Sequence, residues 1–144
     1  ELTPPNTPAF FNALAAQGVL SVNAAWTFSS TRKEHKQAHL KVWRPVLEHL
    51  LWQLSWRDEG QPIVFLLLGD DALKLFKATV GRHIKMDLIN RAARIATVFR
   101  NHQAYQNGGP YFEGPNPLSQ VNDSLVSLGG VGVQWWPPQP EGPA

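Results

Sequence analysis

The run Ile63-Val64-Phe65-Leu66-Leu67-Leu68, followed at once by Gly69-Asp70-Asp71, constrains the fold more than any other stretch of the chain. Six consecutive apolar residues leave no polar face, which suits a strand of a parallel sheet covered on both sides. The run falls far short of the roughly 18 residues that a membrane-spanning helix needs, so a span of that kind is excluded. Gly69-Asp70-Asp71 then turns the chain into Ala72-Leu73-Lys74-Leu75-Phe76-Lys77, a helix that an Asp would cap. Two other runs read as strands of the same kind: Val19 to Asn23, placed after Gly18, and Ile95 to Phe99, which leads into Arg100-Asn101-His102. Strands alternating with helices imply parallel crossovers. The expected class is α/β, a three-layer α/β/α arrangement around a short central parallel sheet.

Helical signals surround these runs. Phe10 to Gln17 forms a short helix stopped by Gly18. Ser29 to Gln37 is polar, and Pro45 reads as a first helical position, where its missing N–H costs nothing. Val46, Leu47, Leu50, Leu51 and Leu54 then recur at helical spacing. Thr79 to Arg94 stays open between a helix through Met86 to Arg94 and a decorated loop. Asn116-Pro117 supplies an N-cap and first-turn pair, Leu118, Val121, Leu125 and Leu128 keep the helical period, and Gly129 ends it. With 144 residues the chain is read as one domain, residues 1–144, with 137–144 a Pro-rich surface tail.

The absence of cysteine removes disulfides, thiolate catalysis and Cys-based metal sites. Together with an N-terminus that lacks the charged and apolar regions of a signal peptide, it leads us to expect an intracellular, cytoplasmic protein with no membrane partner. Thirteen Lys and Arg against 11 Asp and Glu give a net charge of +2, which permits a nucleic-acid partner without requiring one. In an open parallel sheet, ligands bind beyond the carboxyl ends of the strands. The candidate residues are therefore Asn23, Gly69 to Asp71, and His102 with the loop after it. An Asn amide sets a donor beside an acceptor, as reading a base edge requires, and a His can serve as electrophile, base or ligand. Strand-end Asn and His also occur with no chemical role, and Asn commonly holds a turn. His35 and His39, four apart and beside Glu34, have the spacing of metal ligands, but no third ligand lies near and an exposed polar stretch is the favoured reading; no metal and no cofactor are expected. Arg32, Lys33, Lys36, Lys41 and Arg44 form a basic cluster that is either a solvated face or a phosphate-contacting one. Six Trp suggest a stacking platform for single strands, although Trp43, Trp52 and Trp56 fall in or beside the amphipathic helix, where core packing is the default.

Several of these stretches resemble one family. Gln17-Gly18-Val19-Leu20-Ser21-Val22-Asn23-Ala24-Ala25-Trp26-Thr27 is similar to the "QGVLLLNAxLT" segment of family 1 uracil-DNA glycosylases, and Ile63 to Gly69 to their "VVFLLWG". Between them His35-Lys36, His39 and Trp43-Arg44-Pro45 resemble "HK…GWEPF" with altered spacing. Asn101-His102-Gln103-Ala104 stands in the place of "HPSP", Tyr111-Phe112 resembles "GFF", and Gln134-Trp135 resembles the closing "IDW". The resemblance runs from about Phe10 to Trp136.

The resemblance implies hydrolysis of the N-glycosidic bond of deoxyuridine in DNA, a step of base-excision repair, by base flipping. Asn23 would bind the Watson–Crick edge of the flipped uracil and exclude cytosine by leaving fixed donors and acceptors unpaired. His102 would donate to uracil O2 and stabilise the anion that leaves, work that a neutral imidazole can do. Gln103, Ala104, Tyr105 and Gln106 would lie in the loop that enters the minor groove, with Gln106 where the family inserts an apolar Leu. Gly69 would take the place of the Gly in the family's phosphate-contact loop. Asp70 and Asp71 follow where that loop has Ser, and an acid there repels phosphate; helix capping is the preferred account of Asp70. The family's "GQDPYH" motif, whose Asp activates water, normally lies upstream of the Asn23 segment and is not in this sequence. The expectation is thus an N-terminally incomplete domain lacking the first strand of the family sheet. Such a domain would tend to self-associate through uncovered edges. The partner would be uracil-containing DNA. The alternative is a catalytically silent DNA- or protein-binding relative.

Overall fold

The computed structural model describes residues 7–27, 29–30, 32–56, 61–84, 94–100 and 114–136. Six elements follow in chain order: α1 (Thr7–Ala16), α2 (Lys33–Trp56), β1 (Ile63–Leu68), α3 (Asp70–Ile84), β2 (Ile95–Arg100) and α4 (Pro117–Ser127). The two strands pair in parallel, from Ile63 opposite Ile95 to Leu68 opposite Arg100. Both apolar runs thus became strands, joined by the helical crossover that parallel pairing demands.

Alternation along the strands sends Phe65, Leu67 and Phe99 to one face. There they meet Phe76 and Val80 of α3, with Leu51 of α2 packed against the same cluster. Val80 has no exposed surface, and the Phe65 and Phe76 rings lie 5.0 Å apart. Val98 and Arg100 point the other way, toward α4, which lies against both strands and buries Val121. The result is an α/β fold in which a two-stranded parallel sheet separates α2 and α3 from α4.

The ends of α1 and α4 obey one rule. Gly18 (φ 85°) donates to Ala15 O and Val19 to Leu14 O; Gly129 (φ 79°) donates to Val126 O and Gly130 to Leu125 O. Each pair of bonds closes a Schellman motif around a glycine in the left-handed region, where a Cβ would be strained. At the other end of α4 the Asn116 side chain accepts from Leu118 N at 2.9 Å, and Pro117 takes the first position. Beyond α4 the chain presses on Pro62: a Cβ on Gly130 would stand 2.5 Å from Pro62 Cγ.

Four expectations are revised. Val19 to Asn23 is not a strand: Val19 spends its N–H on the α1 cap, and Leu20 and Val22 are exposed. An apolar run becomes a strand only where a ladder and a covering layer are on offer. Pro45 does not open a helix, because α2 begins at Lys33 and carries Pro45 in its interior. Pro45 and Lys41 are both exposed, so water can serve the Lys41 carbonyl that Pro45 cannot reach. Asp70 does not cap α3: Leu73 N donates to Gly69 O at 3.2 Å, which makes Gly69 the flanking residue and places both aspartates in the first turn. Lastly, α3 carries the helix through Thr79 to Ile84; the rest of that open stretch, 85–93, lies outside the described residues.

Candidate nucleic-acid site

Asn23 is exposed and makes no hydrogen bond with another described residue, so its amide is free to serve a ligand. The chain after it is anchored. Trp26 packs against Trp43 of α2 at a tilt, with ring centroids 4.9 Å and planes 36° apart. The Trp43 indole N–H donates to Thr27 Oγ1 at 2.8 Å, and Thr27 Oγ1 lies 2.7 Å from His39 Nδ1. Ser29 Oγ lies 2.9 Å from His39 Nε2, and Ser30 Oγ 2.8 Å from His35 Nδ1. Each ring nitrogen of His39 therefore faces a hydroxyl. A hydroxyl both donates and accepts, so the bonds can form with either tautomer. Helical spacing explains the set: Lys36, His39 and Trp43, at i, i+3 and i+7, share one face of α2 and receive the segment that follows Asn23. His35 and His39, read as candidate metal ligands, instead bind the hydroxyls of residues 27–30. Among the described residues no three His, Asp or Glu converge on a common point.

Lys36 extends this face toward the sheet. Its ammonium stands 3.4 Å from an Asp71 carboxylate oxygen, in the first turn of α3. Gly69, one residue before that helix, has φ 89°, is buried, and donates its N–H to Arg100 O at 2.8 Å. That bond continues the parallel ladder past the last strand pair, so the Gly69 amide is committed to the sheet. Contacts thus run from the Asn23 segment through α2 and Lys36 to the carboxyl ends of both strands, the edge where an open α/β sheet takes ligands. His102, Gln103, Ala104, Tyr105 and Gln106 lie outside the described residues.

Arg100 is the residue that sequence reasoning missed. From the end of β2 its guanidinium donates to Phe99 O at 2.8 Å, to Pro115 O at 2.9 Å and to Gln120 Oε1 on α4. Its Nε is buried with no partner among the described residues. These bonds join the point where the chain leaves β2 to the point where it returns to α4. The one available signal was a cation at the end of an apolar strand, and it carried no hint of its acceptors, two of which are backbone carbonyls.

Over 120 residues the chain is 33% identical to Uracil-DNA glycosylase 1 of Streptomyces coelicolor, a match that takes in 83% of this chain. The chain is related to the uracil-DNA glycosylases. It spans less than half of that relative, 45% of its length. No family model matches the sequence, and no solved structure matches it either. The glycosylase relationship agrees with the resemblance read from the Asn23 and Gly69 segments, and it fits the α/β sheet found here.

Proposed function

We propose that this chain carries the uracil-reading part of a uracil-DNA glycosylase, an intracellular enzyme that hydrolyses the N-glycosidic bond of deoxyuridine in DNA. The observation that carries the reading is the 120-residue similarity to Uracil-DNA glycosylase 1. Asn23 reads the flipped base: its amide donates to uracil O4 and accepts from uracil N3–H, a pairing that cytosine reverses. His102 donates to uracil O2 as the bond from C1′ to N1 breaks and the pair of electrons leaves with the base. Water adds to C1′, and the proton it loses ends on the uracil anion, so the products are free uracil and an abasic deoxyribose. Gln103, Ala104, Tyr105 and Gln106 contact the DNA around the gap, and Gly69 lies at the phosphate-facing turn. The free amide of Asn23 and its anchored neighbours support the assignment of the base reader.

A second reading, a silent relative that binds DNA without cutting it, draws support from the carboxylates. Among the described residues, the aspartates Asp70, Asp71 and Asp123 are all exposed, and Asp71 is paired with Lys36, so none of these three is held in a site that would activate water. Uracil release from a uracil-containing oligonucleotide separates the two. Release that is lost in both Asn23→Ala and His102→Ala supports the glycosylase. Uracil-selective binding that is lost in Asn23→Ala, with no release by the unaltered chain or by a version carrying upstream sequence, supports the silent binder. Release that survives both substitutions overturns the site assignment.

A further inference from the structure

We propose that Trp26, packed at a tilt against Trp43, is a stacking subsite for a base of single-stranded DNA beside the nucleotide that Asn23 reads, with Arg32, Lys33 and Lys36 meeting the adjoining phosphates. The placement next to a read nucleotide rests on the function proposed above; the aromatic and basic surface stands without it. Trp26 is 49% exposed, an unusual condition for the largest apolar side chain. Its ring is nonetheless fixed: one side lies on Trp43, whose indole is tied to Thr27, and Thr27 is tied to His39. A fixed aromatic face open to solvent offers stacking without the entropy cost of ordering a loose side chain. Trp52 and Trp56, by contrast, stack with each other along α2 and are half-buried.

Charge selects the occupant. Residues 32–44 hold five Lys and Arg against one Glu, net +4, which leaves the rest of the chain net −2. All five cations are exposed. Lys36 shares the helix face of Trp43, and its pairing with Asp71 is an open one, with side chains 62% and 52% exposed, so a phosphate can displace it. Aromatic rings interleaved with cations are the pattern of a single-strand groove, where bases stack and the backbone follows the charge. Trp26 lies three residues on from Asn23, a reach of about 10 Å, so a strand whose base occupies Asn23 can set a neighbouring base on Trp26.

The test is anisotropy of a labelled, uracil-free oligothymidylate titrated with the full chain, beside uracil release from a single-stranded uracil oligonucleotide. Trp26→Ala and Trp26→Leu should each weaken oligothymidylate binding by about 5- to 100-fold, the effect of losing one stacked base, while Trp26→Phe keeps most of the affinity. Lys36→Ala should lower the slope of log affinity against log salt by about 0.7. If the Ala variant fails to fold by circular dichroism, the contrast between Leu and Phe decides. Equal binding by Trp26→Leu, Trp26→Phe and the unaltered chain, or no binding of oligothymidylate at all, overturns the subsite. Binding that depends on Trp26 without any uracil release, either by the chain or by a version carrying upstream sequence, keeps the subsite and removes the glycosylase reading instead.

Discussion

The segment after α4 and the segment after Asn23 are tied down in opposite ways. After α4, the segment 130–136 is clasped by amides. Asn122 exchanges two bonds with the Val133 backbone, each at 2.9 Å, and its Oδ1 also accepts from the Trp135 indole at 3.2 Å. Gln17 exchanges a similar pair with the Gln134 backbone. Planar amides thereby imitate a strand partner where no strand is present. After Asn23, Trp26, Thr27, Ser29 and Ser30 are held instead by exposed hydroxyl and imidazole bonds and by one pair of indoles. The half-buried Asn122 pair cannot exchange freely with water, whereas the hydroxyl–imidazole bonds, exposed like the Gln17 pair, can. The Asn122 clasp is the deeper tether, and the segment after Asn23 is held in place at little energetic depth.

The core beneath both regions sets the upper end of the scale. Phe76→Ala, which empties the space between Phe65 and Val80, should cost about 3–5 kcal/mol in urea unfolding. A cost under about 1 kcal/mol would mean that α3 does not pack on the sheet as described. Asn122→Ala should come next, at about 1–3 kcal/mol, because Val133 N–H, Val133 O and the Trp135 indole all lose a half-buried partner. If Asn122→Ala were as silent as a surface change, the contrast between the two segments would disappear.

The sheet was legible because continuous apolar runs such as Ile63–Leu68 admit few structures, and α4 because Asn116, Pro117 and Gly129 mark its two ends by local chemistry. Val19–Asn23 also carries a branched apolar run, in Val19, Leu20 and Val22, and is not in the sheet. Strand formation depends on a ladder partner, which a local reading cannot supply. Pro45 misled for the converse reason: a residue that favours a helix start locally is tolerated inside α2, where its face meets water. At the candidate site, Asn23 and Gly69 could be named from their neighbours in sequence. The service of His39 to Thr27 and Ser29, and of Arg100 to Pro115, joins residues 10 to 15 apart through side chains whose direction only the fold decides.

His39→Ala tests the weaker tether. Its bonds are exposed, so global stability should fall by less than about 1 kcal/mol, while amide exchange in residues 24–30 quickens and that of residues 130–136 stays as it was. Equal acceleration of both segments would show that they open together.

Asn23→Ala should have the smallest effect on stability. The side chain is exposed and bonded to no other described residue, so unfolding should move by no more than about 0.5 kcal/mol in either direction. Asn has no structural task at this position, and its amide pays no penalty for lacking a protein partner because water serves it. A reader of base edges needs that condition, since an amide already bonded within the fold would have to break those bonds to meet a ligand. The variant should therefore separate stability from function: an unchanged urea midpoint together with lost discrimination between uracil and cytosine in DNA. A marked loss of stability would instead give Asn23 a turn-holding role and return the search for the base reader to the other residues at the edge of the sheet.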